Sequence, residues 1–476
     1  MKDRVSAVAD LLSPHVVVHI GASESGVYPS DVFKSLASSP VTLYAVNPKR
    51  SEVFGHHCFS SVAELPDREG TEGKADLAII TVPAASVPAV ISDCAAAGIG
   101  QAVVISAGFA EAGAAGRILQ AQVEAFEDRV HILGPNCAGF ANIADGIIAT
   151  RMYSRPVAGK ISFVSQSGAL MMALHGAFAE RGAGLRYIVS VGNQAGFRLS
   201  DFLFHFASDP GTRVIAAFIE GLPDGTEFVE AARRCLEAGK PVIAIKSGRT
   251  ELGRKLAATH TAALAGEGEV FEAVCRQYGI ILVDDIDDLI ATSSVAAAVA
   301  DSPVSRIAWI SQSGGLGSLT GDLAKSAGIE PESFPPEFGI SLNPVDVGGD
   351  KMRGAVVKDT LRPFLAHQGI DAVVLLFAKD PNREIEMETA RNIVAARDES
   401  GKPIVVIWVG PTLSAAENGA AASLALQVLR EAGIPLFGSP GPAVCALGRL
   451  SAWRRFRKAW IASGASAGKG DGHAHL

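Results

Sequence analysis

A chain of 476 residues exceeds what one hydrophobic core usually supports, so two to four domains are expected. The residues are 48% apolar but only 6% aromatic, and the 50 glycines mostly follow short Val/Ile runs, the composition of parallel sheets covered by helices on both faces. A net charge of -8 argues against a nucleic-acid partner, which needs a basic face, and leaves a small anionic ligand open.

The amino-terminal stretch MKDRVSAVADLL is charged and helical in period. It has neither the apolar run nor the small-residue cleavage site of a secretory signal, so export is not expected. From Val16 to about Thr150 the apolar runs VVVHIGA, VTLYAVNP, LAIITVP, QAVVISAG and VHILGPN alternate with Ala-rich helical stretches. That alternation predicts a parallel, right-handed βαβ sheet, a Rossmann-like domain over residues 1–150. Each strand runs into Gly, Pro, Ser or Asn at its carboxyl edge, where open α/β sheets bind ligands.

A second series begins at Lys160 with KISFVSQSG and continues through RYIVSVGN, RVIAAFIEG and PVIAIKSG, predicting a domain over 151–300. A third opens at Arg306 with RIAWISQSGG and runs through DAVVLLFAKD and PIVVIWVG, predicting a domain over 301–463. Both start strand, SQSG, helix, which reads as duplication of one flavodoxin-like unit at an offset of about 146 residues. The segment ADSPVS, 300–305, is the linker between them. The low-complexity tail 464–476 is expected to be disordered. No apolar run approaches the roughly 20 residues needed to cross a bilayer, so no membrane partner is expected. Six cysteines without CxxC spacing suggest neither a zinc cluster nor a disulfide framework, which fits a reducing compartment.

Candidate site residues gather at the carboxyl edges. In the first series these are Gly21, Ala22 and Ser23 of the GASESG turn, Asn47 and Lys49 of VNPK, Val82 and Pro83 of TVPA, Ser106, Ala107, Gly108 and Phe109 of SAGF, and Asn136 and Cys137 of GPNC. The Gly-rich turn is either a tight βα connection or a place where backbone amides approach a pyrophosphate. It is not GxGxxG, and the second strand closes on VNPK rather than an acidic residue, which disfavours a nicotinamide dinucleotide.

The two SQSG turns, Ser165–Gln166–Ser167–Gly168 and Ser311–Gln312–Ser313–Gly314 with Gly315, are either helix N-caps or anion sites where a helix start stabilises a phosphoryl group by about 1 kcal/mol. His260 lies in a long loop containing Arg249, Arg254 and Lys255, either a solvated charged surface or a reactive segment. Glu220, closing the strand AAFIEG, either caps a neighbouring helix or fixes an imidazole tautomer. The histidines lack metal-ligand spacing, so no metal is expected on this chain.

Nine motifs in order resemble the α subunit of the ADP-forming (NDP-forming) acetyl-CoA and acyl-CoA synthetases, relatives of succinyl-CoA synthetase. They are GAS at 21–23, VNPK at 46–49, SAGFAEAG at 106–113, GPNCAG at 134–139, FVSQSGAL at 163–170, SVGNQAG at 190–196, EG at 220–221, THTAALAG at 259–266 and NPVD at 343–346. The resemblance implies a Rossmann-like CoA-binding domain followed by two flavodoxin-like, succinyl-CoA synthetase-like domains. It implies that acyl-CoA and phosphate give acyl phosphate and CoA, that His260 takes the phosphoryl group, and that a nucleoside diphosphate accepts it. In that scheme Glu220 orients His260, and 165–168 and 311–315 bind its phosphoryl group.

No GxxxxGK[ST] occurs. The resemblance implies that ATP/ADP and Mg are held on a separate ATP-grasp β subunit or a neighbouring polypeptide, in an α2β2 heterotetramer, and a cytoplasmic location is expected. Two departures stand out. THTAALAG replaces SHTGALAG, with Ala262 in place of a loop glycine, and GPNCAG replaces GPNCLG, which puts Ala138 near a pocket and leaves the carboxylic acid open. The alternative is a non-catalytic CoA-binding regulatory protein of the same fold, which would be free to lose His260, Glu220 and the SQSG turns.

Overall fold

The computed structural model describes residues 2–68, 70, 73–152, 156–253, 255, 268–300, 306–334, 336–378, 380, 382–409 and 419–464. His260, the linker 301–305 and the tail beyond Gly464 lie outside the described residues. The chain splits into two compact units, Met1–Gly176 with Leu185–Leu282, and Ala177–Gly184 with Val283–Leu476.

The first unit holds two sheets. One contains β1 (Val16–Ile20), β2 (Thr42–Val46), β3 (Glu52–Val53), β4 (His56–Phe59), β5 (Leu77–Ile80), β6 (Gln101–Val104) and β7 (His131–Leu133), in the order β3-β4-β2-β1-β5-β6-β7. Only β3 runs antiparallel to its neighbour. Without β3 the strands read third, second, first, fourth, fifth, sixth, the dinucleotide-fold order, whose direction reverses between β1 and β5. Helices α1 (Lys2–Leu12), α2 (Val27–Ala37), α3 (Val87–Ala96) and α4 (Ala114–Glu124) accompany it.

The other sheet contains β8 (Gly139–Asn142), β9 (Ile147–Thr150), β10 (Ala158–Ser165), β11 (Leu185–Ser190), β12 (Val214–Ile219), β13 (Val242–Lys246) and β14 (Ile281–Leu282), in the order β14-β13-β12-β10-β11-β8-β9. Its parallel part has the flavodoxin order, reversing between β10 and β12, and the hairpin β8–β9 extends it antiparallel along β11. Its strand VIAAFI is buried at all six positions, as a strand covered on both faces must be. Helices α5 (Gly168–Glu180), α6 (Leu199–Ser208), α7 (Gly225–Glu237) and α8 (Gly268–Tyr278) follow in the chain.

Helix α7 illustrates how local sequence sets an element. The Asp224 carboxylate caps its start by accepting from the Thr226 and Glu227 amides, and Phe228, Ala231, Ala232, Cys235 and Leu236 form the buried stripe at helical spacing. Val17, Leu77 and Val103 of the first sheet share one buried cluster with Val164, Val189 and Ile215 of the second, so the two sheets form one packed body.

The second unit is built on β15 (Ile307–Ser311), β16 (Val345–Asp346), β17 (Ala372–Ala378), β18 (Ile404–Val409) and β19 (Leu436–Phe437), all parallel, in the order β16-β15-β17-β18-β19. This is the same flavodoxin order. Its helices are α9 (Ile286–Ala298), α10 (Gly314–Ser326), α11 (Val356–Ala366), α12 (Arg383–Ser400), α13 (Gly419–Glu431) and α14 (Pro440–Ala462). Arg449 of α14 grips both carboxylate oxygens of Asp288 on α9 at 2.6 Å. No helix among the described residues is long and apolar enough to cross a membrane.

Candidate functional site

The carboxyl edges of both sheets in the first unit open onto one cavity of about 390 Å³. Ser106, Ala107, Asn136 and Cys137 line it from the first sheet's loops, and Gln166, Ser167, Gly168 and Glu220 from the second's. Residues expected to serve two different jobs, at separations of up to 114 positions, therefore share a wall. The cavity also takes in Ala138, which the sequence placed near a pocket, and Tyr28, Thr81 and Asn193, which no motif assigned a binding role.

The first SQSG turn is self-locking. Ser165 is fully buried, its hydroxyl donating to Ser167 O at 2.8 Å and accepting from Ser167 N at 3.1 Å. Gln166 is spent on the neighbouring strand end: Nε2 donates to Gly221 O at 2.8 Å, and Oε1 accepts from the amides of Glu220 and Gly221. Its side chain thus fixes the segment carrying the Glu220 carboxylate. Ser167 Oγ caps α5 by accepting from Leu170 N at 3.3 Å. Among the described residues the N–H groups of Gly168 and Ala169 have no acceptor, and both residues line the cavity. Two free amides at a helix start are suited to the oxygens of an anion. Behind Glu220, the Lys246 ammonium donates to Glu220 O at 2.8 Å and to Ser247 O. Burial lowers the pKa of Lys246, opposed by the Glu220 charge.

On the first sheet's side, Asn136 has φ +55° and its amide donates to Ser106 O at 3.0 Å. Its Nδ2 donates to Asn193 Oδ1 at 3.3 Å, and Asn193 Nδ2 donates to Glu111 Oε2 at 2.6 Å. The other Glu111 oxygen accepts from the amides of Gly108 and Phe109 at 2.6 and 3.1 Å. Those two amides of the SAGF turn are therefore engaged internally. Burial acts to raise the Glu111 pKa, but these hydrogen bonds prevail and hold it below the usual carboxylate range. The Phe109 side chain is fully buried, and the Cys137 thiol donates to Val104 O at 3.3 Å. Burial pushes that thiol up to about 12, which disfavours a thiolate there.

Gly21, Ala22 and Ser23 lie at the end of β1, with Asn47 Nδ2 donating to Ala22 O at 2.9 Å. Asn47 Oδ1 accepts from Lys49 N at 3.0 Å, and Lys49 is exposed. Val82 and Pro83 follow β5 at the switch point, where Ser106 Oγ donates to Val82 O. These residues stand on the same sheet edge but outside the walls of the cavity, apart from Ser106.

In the second unit the SQSGG turn repeats the serine lock and the Gln backbone bond of the first, but among the described residues Ser313 makes no side-chain cap and Gln312 Nε2 reaches only Ala378 O, at 3.5 Å. Ser311 Oγ donates to Ser313 O at 2.7 Å and accepts from Ser313 N at 3.1 Å. Gln312 N donates to Leu376 O at 3.2 Å, as Gln166 N does to Phe218 O at 3.2 Å. That correspondence sets Ala378 where the first copy has Glu220. Asp346 occupies the strand position of Ser190, its Oδ2 lying 3.2 Å from where a Cβ on Gly314 would stand. The two helix starts are alike in backbone and unlike in charge: the second already faces a carboxylate. Gly314 and Gly315 are exposed. Among the described residues no group of three or more His, Cys, Asp or Glu could hold a metal.

A dinucleotide-order sheet joined through one cavity to a flavodoxin-order sheet with an open helix start is the layout of an acid–thiol ligase of the succinyl-CoA synthetase type. Residues 15–143 match a CoA binding domain, and residues 158–296 a succinyl-CoA ligase like flavodoxin domain. The acetate–CoA ligase (ADP-forming) I subunit alpha of Pyrococcus furiosus is 32% identical over 472 residues, covering 94% of this chain and 98% of that one. The acetate–CoA ligase (ADP-forming) I of Archaeoglobus fulgidus is 33% identical over 93% of this chain, which spans 63% of that longer protein. The dinucleotide forming acetyl-coenzyme A synthetase 1 of Ca. Korarchaeum cryptofilum, solved with phosphate and ADP, matches with TM-score 0.84 at 29% identity over 96% of this chain and 98% of that one. The chain belongs to the family of ADP-forming acetate–CoA ligase α subunits.

Proposed function

We propose that this chain is the CoA-binding, phosphoryl-carrying α subunit of an acyl-CoA synthetase (NDP-forming), reversibly making acyl-CoA from a carboxylic acid, CoA and ATP. The observation that carries the reading is the cavity in which Ser106 and Asn136 meet Ser167, Gly168 and Glu220. In the proposed sequence phosphate attacks the thioester carbonyl of acyl-CoA, giving acyl phosphate and free CoA. An imidazole nitrogen of His260 then attacks phosphorus, releasing the carboxylate. A nucleoside diphosphate finally takes the phosphoryl group and restores the imidazole. The free amides of Gly168 and Ala169 would hold phosphate oxygens during the first two steps, and Glu220 would orient His260.

Under this reading residues 1–150 form the CoA-binding domain, with its closing hairpin β8–β9 added to the second sheet, 151–300 the first ligase domain and 301–463 the second. A separate ATP-grasp β subunit would hold nucleotide and Mg, in a cytoplasmic hetero-oligomer. Near full-length coverage of a relative called subunit alpha supports that arrangement. The test is to incubate the chain and its candidate β partner with CoA, ATP and a panel of small carboxylic acids. Thioester formation that needs both chains is expected, and none with any acid would refute the reading.

A further inference from the structure

Thr81 and His19 form a unit at the switch point between β1 and β5 that no motif singled out. His19 is fully buried, stacked on Phe33 at 5.9 Å, with Nε2 2.9 Å from Thr81 Oγ1. Its Nδ1 is buried and has no partner among the described residues. An orphaned buried N–H is far rarer than an orphaned acceptor, so the proton belongs on Nε2, which donates to Thr81 Oγ1. Burial lowers the His19 pKa to about 3, which keeps the ring neutral and this tautomer fixed near neutrality.

Once Oγ1 accepts from His19, the hydroxyl proton of Thr81 must go elsewhere. Its one alternative acceptor among the described residues is Ile20 O at 3.4 Å, well beyond the usual O–H···O distance. Thr81 lines the cavity, so a ligand acceptor there would be the better partner. Gly21 makes the approach possible, since a Cβ on it would stand 3.0 Å from Thr81 Oγ1.

Building on the proposed CoA site, we infer that Thr81 is a ligand-binding residue whose hydroxyl donates to an amide carbonyl on the pantetheine arm of CoA, and that His19 is the positioning residue that frees that proton. The arm, not the nucleotide, is assigned because the GASESG turn, the place for a pyrophosphate, lies outside this cavity, whereas the cavity leads to Gly168. A single hydroxyl proton suits a neutral carbonyl acceptor.

The test measures binding of CoA, and of pantetheine as a competitor, to the full chain. Thr81→Val and His19→Leu should each weaken CoA by about fivefold to tenfold, the loss of one neutral hydrogen bond, with the same factor for pantetheine. Thr81→Ser, and His19→Gln with its amide N–H in place of Nε2–H, should restore most of it. Imidazole ¹⁵N spectra of the wild type should show an Nε2–H tautomer whose signal moves when CoA is added, a readout independent of any variant's folding. A wild type that binds CoA beside an equally tight Thr81→Val, or an Nδ1–H tautomer, would overturn the inference. A loss with CoA but not with pantetheine would overturn its assignment to the arm. A wild type that does not bind CoA would instead overturn the proposed function on which it rests.

Discussion

Asp209 shows what one carboxylate does when enclosed. It is 8% exposed, and its oxygens accept from Arg186 Nε at 2.6 Å and Nη2 at 2.9 Å and from Thr212 Oγ1 at 2.6 Å. Burial acts to raise its pKa, but the Arg186 and Thr212 hydrogen bonds win and depress it below the usual 3.8. A depressed carboxylate contributes stability that is present above its unfolded pKa and is lost as pH falls through the folded one. Asp209→Asn should therefore cost about 2 kcal/mol at neutral pH, the value of hydrogen bonds to a charged group, and the gap should narrow as pH falls below the ordinary aspartate range. Urea melts of both proteins across that range check this, and a gap that persists in acid would contradict the assignment.

At the scale of elements, the site rests on turns from different sheets pressed together. Gly192 follows β11 at φ +53°, and a Cβ there would stand 2.3 Å from Pro135 O and 2.6 Å from Asn136 O. Gly192→Ala should push the GPN turn away and displace Asn136, with CoA binding weakened by more than tenfold and a thermal midpoint lowered by several degrees. Calorimetry and CoA titration check it, and a variant unchanged in both would refute the close-approach argument. The strand series and the SQSG starts were legible because apolar runs and turn residues are local signals. The hairpin β8–β9 was not, since GFAN and IIAT are four-residue strands and the strand that β8 joins, β11, lies more than 30 positions on. Arg4 was equally hidden. It binds Asp201 at 3.1 Å, Glu227 at 2.9 Å and Glu127 at 3.1 Å, tying α1 to α6 and α7, whereas its sequence reads only as a charged helix.

For the whole molecule, the two flavodoxin-like parts share one sheet order and the same serine bonds in their SQSG turns. Their divergence was visible only in three dimensions. Ala378 stands in for Glu220, and Asp346 for Ser190, because strand register rather than sequence spacing aligns them. In the same way the bonds that Gln166 makes to residues 220–221 could not be read from its motif, and Glu111 and Asn193, present only as letters in motifs, join the loops of the two sheets. The roles of Glu220 and His260 came from resemblance, and the central proposal is that the phosphoryl group passes through His260. Incubating the chain with acyl-CoA and radiolabelled inorganic phosphate tests it most directly. The account predicts an acid-labile, base-stable label on the wild-type chain and none on His260→Ala, with CoA still bound by both. Equal labelling of His260→Ala, or no label on a wild type that binds CoA, would contradict it.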